Sequence, residues 1–182
     1  MRITELLTGV VLMVGISAIV GCNPGVTKSP DVTSAIRRDL DQARLNDVTV
    51  NQDRDKGVVT LGGHVNTDTD KSQAETIAKS DAPGQVVALE VAVLPPNDDK
   101  TAKTVNSDLD KGIDNNLDAA LVQAKLDKGV KYDVKNGVVT LKGEVNSQGK
   151  RSRVEKLATG VPNVQQVVNE LQVKDQKATA SE

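Results

Sequence analysis

Two patterns of apolar positions run through the chain, and both occur twice in the same order. Val32, Ile36, Leu40 and Ala43 recur every three or four residues behind Ser29-Pro30-Asp31, the spacing of one buried helix face after a helix start. Ile113, Leu117, Leu121 and Ala124 repeat that stripe further on. A two-residue period follows each stripe. In the second copy Val130 to Val134 and Val138 to Val145 flank Asn136-Gly137, a dipeptide that readily takes the positive φ values of a tight hairpin turn. Thr67 and Ser147 stand where each would cap a second helix, with Ala74, Ile77 and Ala78 or Val154, Leu157 and Ala158 as its buried face. A last strand alternates as Val87, Leu89, Val91, Val93 and as Val167, Asn169, Leu171, Val173. The predicted fold is α+β: two tandem small domains, each αββαβ, with a three-stranded mixed sheet covered on one face by two helices.

The duplication is visible residue by residue. Gly57-Val58-Val59-Thr60-Leu61-Gly62-Gly63-His64-Val65-Asn66 recurs 80 residues later as Gly137-Val138-Val139-Thr140-Leu141-Lys142-Gly143-Glu144-Val145-Asn146, with eight identities in ten positions. The same offset aligns Glu75, Ala78, Val87, Glu90 and Val93 with Glu155, Ala158, Val167, Glu170 and Val173, while the first helices align at an offset of 81. This predicts domains over 31–94 and 107–174, a polar linker over 95–106 that begins at Pro95-Pro96, and a frayed tail over 175–182.

Alternation assigns the sheet faces. With Val59, Leu61 and Val65 toward the helices, Val58, Thr60 and His64 point to the opposite side, as do Val138, Thr140, Lys142 and Glu144. That second face is only partly polar. A domain of about 65 residues buries only about 60% of its unfolded surface, so two such sheets gain by covering one another.

Ahead of the first domain, Leu6 to Val20 is an apolar run behind Met1-Arg2, and Ile19-Val20-Gly21-Cys22 closes it. A run of about 15 residues falls short of the ~20 that a spanning helix needs, and Asn23-Pro24-Gly25 cannot continue a helix. Residues 1–21 therefore read as a signal peptide. The four closing residues form a lipobox and resemble those of bacterial lipoproteins, which implies cleavage before Cys22, acyl chains on the new terminus and its thiol, and a tether over 22–30. The alternative is an ordinary secretory signal with a stray cysteine. Cysteine usage weighs against it, since the single cysteine sits at the cleavage point and no disulfide, zinc site or thiol nucleophile can be built elsewhere.

Composition narrows function further. There is no Trp or Phe and one tyrosine, Tyr132, so the core must be aliphatic and the stacking platforms of single-strand nucleic-acid binders are missing. A net charge of −2 with 26% charged residues exerts no global pull toward nucleic acid. His64 is the only histidine, aligns with Glu144 of the other copy and falls on the outer sheet face, where a solvated strand residue is the better reading than a base or ligand. No Gly-x-Ser-x-Gly elbow presents a serine to it, so an enzyme is not expected. Asp53-Arg54-Asp55 and Asp68-Thr69-Asp70 lack the Gly and Glu that a calcium loop requires, which leaves no metal site or other cofactor predicted and no small-molecule substrate. Gly57 and Gly137 read as turn residues, and Gly63 and Gly143 as positions of close backbone packing or a bulge.

Charge separates the two copies. Residues 31–94 hold 7 Lys/Arg against 11 Asp/Glu, a net of −4, and residues 107–174 hold 11 against 9, a net of +2. Lys142, Lys150, Arg151, Arg153 and Lys156 lie within fifteen positions that contain only Glu144 and Glu155 as acids. Such a run is commonly a solvated helix start. It is also a candidate patch for anionic head groups, where each cation near the surface is worth about 1 kcal/mol.

Asn136-Gly137-Val138-Val139-Thr140-Leu141-Lys142-Gly143-Glu144-Val145, the helix with Arg151 and Ala158, Val161-Pro162-Asn163-Val164 and the closing Val-x-Asn-x-Leu-x-Val that ends at Val173 resemble a BON domain (bacterial OsmY and nodulation). The first copy fits through Lys56 to Val65 and departs at Asp81-Ala82-Pro83-Gly84. The whole resembles two-BON-domain envelope lipoproteins and osmotically inducible periplasmic proteins. That resemblance implies a non-enzymatic protein anchored on the periplasmic side of the envelope, partnered by anionic phospholipid membrane and serving envelope integrity or stress tolerance. The alternative is an adaptor docking onto an envelope assembly machine, with lipid as tether only. Asn23, rather than the Asp associated with inner-membrane retention in enteric bacteria, points to the outer membrane.

Overall fold

The computed structural model describes residues 28–96 and 99–174. The expected signal peptide, Cys22, most of the expected tether and the expected tail from residue 175 lie outside the described residues. Among the described residues no helix is long and apolar enough to cross a membrane.

The first domain comprises α1 (Thr33–Gln42), β1 (Val48–Asp53), β2 (Val58–Val65), α2 (Asp68–Asp81), β3 (Val86–Leu89) and β4 (Ala92–Val93). The second comprises α3 (Asp99–Gln123), β5 (Val130–Lys135), β6 (Val138–Val145), α4 (Gln148–Thr159), β7 (Gln166–Asn169) and β8 (Gln172–Val173). In each, the middle strand pairs antiparallel with its hairpin partner and parallel with the last strand, the connection running through the second helix. The twice-repeated αββαβ order is the one the sequence predicts. The last strand is broken in two, and both pieces pair with the middle strand, β4 with β2 and β8 with β6.

The break lies opposite Gly63 and Gly143, whose φ values are +85° and +109°. There the middle strand presses against the start of the hairpin, and His64 N–H reaches Asp47 O at 3.3 Å while Glu144 N–H reaches Gly129 O at 3.0 Å. At the other end Asn136 and Gly137 take φ of 49° and 77°, as a tight two-residue turn requires. Thr67 Oγ1 and Ser147 Oγ each accept the third N–H of the following helix at 3.1 Å. Ile36, Leu40, Val48, Val59, Leu61, Ala74 and Ala78 fill one core, and Ile113, Leu117, Leu121, Val139, Leu141, Val154 and Ala158 the other.

The expected linker over 95–106 is mostly helix. Following Pro95-Pro96, residues 99–106 contain neither Gly nor Pro, and Ala102, Val105 and Leu109 extend the stripe of Ile113 and Leu117 backwards at helical spacing. The 25-residue α3 is thus far longer than its 10-residue counterpart α1. Its Asp110 carboxylate accepts both N–H groups of the hairpin turn, from Asn136 at 2.8 Å and from Gly137 at 2.9 Å.

The two sheets meet through their outer faces, where Val58, Ala88, Val138 and Val168 form one buried cluster. These are two pairs of repeat equivalents, and the polar contacts around them are reciprocal. Lys56, beside the first hairpin turn, donates to Glu170 Oε2 at 2.6 Å. Lys135, beside the second, lies 3.2 Å from Glu90 Oε2, and Asn136 Nδ2 donates to Glu90 O at 2.7 Å. Gln166 at the start of β7 adds an amide that bridges the β3 edge, accepting from Leu89 N–H at 3.0 Å and donating to Val87 O at 2.7 Å.

The Lys56 bond makes the interface sensitive to alkali. The hydrogen bond that Lys56 donates to Glu170 raises the Lys56 pKa above its ordinary 10.5 against the opposing effect of burial, with the Glu170 and Asp53 charges acting in the same direction as the bond. A raised lysine stabilises the folded form fully below its unfolded pKa and loses that contribution as pH climbs through the folded value. In a titration of the lysine ε-carbons by NMR, Lys56 should have a midpoint above 10.5 that falls in a Glu170→Gln variant. An unchanged midpoint would show that the contact is not formed in solution.

Candidate membrane-contact surface

The five cations grouped by sequence do not form one patch. Lys142 lies on β6 and points to the sheet face away from the helices, whereas the other four belong to α4. Arg151 turns inward, and its Nη2 donates to Asn169 O at 3.1 Å, at the break between β7 and β8. Its Nε is buried without a partner among the described residues. The guanidinium therefore ties helix to sheet and is not presented to a ligand. Lys150 stays at the domain end, its Nζ donating to Lys128 O at 2.5 Å. Arg153 and Lys156, one helical turn apart, are exposed on the outer side of α4.

Three-dimensional proximity assembles a different group. α3 ends, β5 begins, β6 ends, α4 begins and β8 ends at one extremity of the second domain, the end opposite its hairpin turn. Lys125, Lys128, Lys131, Lys142, Lys150 and Lys174 all belong to that end, with Asp127 and Glu144 as its acids. Lys174 lies 2.7 Å from Glu144 Oε2, so the paired Glu144 leaves the excess positive. Lys131 and Lys142 are direct cross-strand partners and both are exposed. Like charges opposite one another on a sheet destabilise it by a few tenths of a kcal/mol up to about 1. The equivalent pair in the first domain is Thr49 with Gly62, which carries no charge. The corresponding end of the first domain gathers Arg44, Asn46, Asp47, His64 and Asp70, and Arg37 Nη1 reaches Val48 O there at 3.2 Å, so its cations are matched by carboxylates.

Chemistry is sparse elsewhere. His64 is exposed on the outer sheet face, and among the described residues no group of three or more His, Cys, Asp or Glu is arranged to hold a metal. Gly57, Gly63, Gly137 and Gly143 all have positive φ and serve the backbone. Lys71, the counterpart of Arg151, is half-buried between the domains, where burial lowers its pKa against the opposing influence of Asp68 and Glu75. Its Nζ lies 3.4 Å from Gln165 Oε1.

The family model of the BON domain matches residues 29–92 and again residues 97–175. Among solved structures, the C-terminal domain of CdsD, the structural protein of the type III secretion system of Chlamydia trachomatis, is 13% identical with a TM-score of 0.33, covering 78% of this chain and 67% of that one. A second structure of CdsD is 16% identical with a TM-score of 0.35 and covers 79% and 92%. No curated protein matches the chain.

Proposed function

Since the chain belongs to the BON domain family through both of its halves, we propose that it is a non-enzymatic, lipid-anchored envelope protein whose second domain binds anionic phospholipid and supports envelope integrity. The family is one of non-catalytic binding domains associated with membranes and the envelope. The observation that carries the finer reading is the charge difference between two copies of one fold: net −4 in residues 31–94 and net +2 in residues 107–174, with six of the second domain's cations at one end. A shared ancestry and a shared core do not require that difference. A surface that meets negative head groups does.

Cys22 supplies the anchor in this reading. One acyl chain gives only marginal binding, and two or three give stable attachment. The intact mass of the protein from the membrane fraction is expected to show residues 1–21 removed and acyl chains added at Cys22, and Cys22→Ala is expected to leave the chain in the soluble fraction. Without the anchor, the mature chain should co-sediment with phosphatidylglycerol-rich vesicles at low salt, and weakly or not at all with phosphatidylcholine vesicles or at high salt. If the two vesicle types bind it equally, or neither binds it at low salt, the adaptor reading replaces this one.

A further inference from the structure

We propose that the protein stands end-on at the bilayer, with the lysine end of the second domain against the head groups and the far end of the acidic first domain directed away. This rests on the phospholipid reading above and adds the contact surface and the orientation.

The packing of the two sheets carries it. The first hairpin turn meets Glu170 at the middle of the second domain's last strand, and the second hairpin turn meets Glu90 at the middle of the first's. Both contacts can hold together only if the sheets run in opposite directions. The end of the second domain beyond Glu170 therefore projects past the first hairpin turn. From Glu170 to Lys174 is four residues, about 13 Å of strand.

The N-terminal segment is fixed at the same place. Ser29 N–H donates to Arg54 O at 2.9 Å, and Arg54 Nε donates back to Ser29 O at 2.8 Å. Gln52 Nε2 holds Pro30 O at 2.7 Å, and Lys28 lies 3.2 Å from Asp55 Oδ1. The chain from Cys22 thus enters at the first hairpin turn. Lys28 is six residues on from Cys22, a reach of at most about 20 Å. That exceeds the ~13 Å by which the lysine end projects, so the anchor and the lysines can reach one bilayer together. The opposite end of the first domain lies the eight residues of β2 away in the other direction, about 26 Å. Its carboxylates are several Debye lengths from the head groups and repel them little.

The outward side of α4 has no such relation to the tether, and Arg151 is committed to the sheet. Lys125, Lys128, Lys131 and Lys142 are consequently the contact lysines, and Arg153 and Lys156 are not.

Lysine acetylation read by mass spectrometry on the acylated full-length protein, in vesicles with and without phosphatidylglycerol, tests this. Lys125, Lys128, Lys131 and Lys142 should be modified at least fivefold more slowly in the anionic vesicles, and Lys111 and Lys156 at an unchanged rate. Lys125→Glu with Lys128→Glu and Lys131→Glu should abolish the protection of Lys142. That variant removes the like-charge pair on β5 and β6, so a folding defect is not expected to obscure it. Protection at Lys156 in place of the four would overturn the orientation and leave the phospholipid reading standing. The absence of any difference between the two vesicle types would overturn both.

Discussion

Replacing Gly63 by alanine is expected to remove a large share of the first domain's stability while the second remains folded. A Cβ at this position would lie 2.0 Å from the Asp47 carbonyl oxygen and 3.3 Å from Thr49 N, both backbone atoms of the paired strand. Neither can yield as a flexible side chain would. The φ of +85° adds about 1–2 kcal/mol for any residue with a Cβ. Relief requires the β1–β2 ladder to open at its start, and the total is on the order of 4 kcal/mol. A domain of this size has about 3–10 kcal/mol in all. In a urea series followed by heteronuclear NMR, the dispersed amides of residues 31–94 should collapse at a lower urea concentration than in the parent protein, while those of the second domain persist with shifts near Val138 and Val168. Gly112→Ala is the control. Nothing lies within 4 Å of a Cβ there, and the position is inside α3, so that change should raise stability by up to about 1 kcal/mol. A Gly63→Ala protein with an unchanged urea midpoint would show that the bulge is not held as described.

Asp110→Ala should weaken the second domain by about 3 kcal/mol. Two N–H groups at the turn, those of Asn136 and Gly137, lose a charged acceptor, and hydrogen bonds to charged groups contribute roughly 1.5–3 kcal/mol each before water replaces part of the loss. The effect should extend to the neighbouring domain. The same Asn136 donates its side chain to Glu90 O, so a loosened turn takes a cross-domain bond with it. Asp110→Asn keeps one acceptor oxygen and should lose about half as much. Chemical denaturation followed by domain-resolved NMR separates these outcomes. An alanine variant more stable than the asparagine variant would show that helix propensity, and not the carboxylate, sets the outcome.

The fold was legible in the sequence because each local signal was present twice. Asn136-Gly137 marks the second turn, Thr67 and Ser147 mark helix starts, and the six identities in eight between Val58–Val65 and Val138–Val145 fix the register of the copy. The length of α3 was not, since Pro95-Pro96 reads as a linker and α1 has no comparable extension. Ala102, Val105 and Leu109 carried the signal, at the spacing of the stripe they continue. The candidate surface was half legible. Lys142 and Lys150 fall in the basic run, but Lys125, Lys128, Lys131 and Lys174 come from separate elements that only folding brings to one end. Aligning the copies for charge would have indicated part of the group, because Lys142 replaces Gly62 and Lys150 replaces Asp70. Arg151, by contrast, aligns with Lys71, and a cation in both copies carries no information about what sets them apart. Its inward turn depends on the Asn169 carbonyl freed at the strand break, which no spacing reveals.

The reciprocal contact between the sheets also bears on polymerisation. A duplicated module that adhered to its neighbour by two different surfaces would leave one of each unused and could add further copies into a filament. Here each domain offers the same surface, Val58 with Ala88 or Val138 with Val168, and each is consumed by the other. The pairing is isologous and closes after two. Gln166 adds a second barrier by occupying edge groups of β3 that would otherwise template another strand. The chain thus contains its own complete dimer, and these sheet faces do not draw further molecules into a filament even at high local concentration.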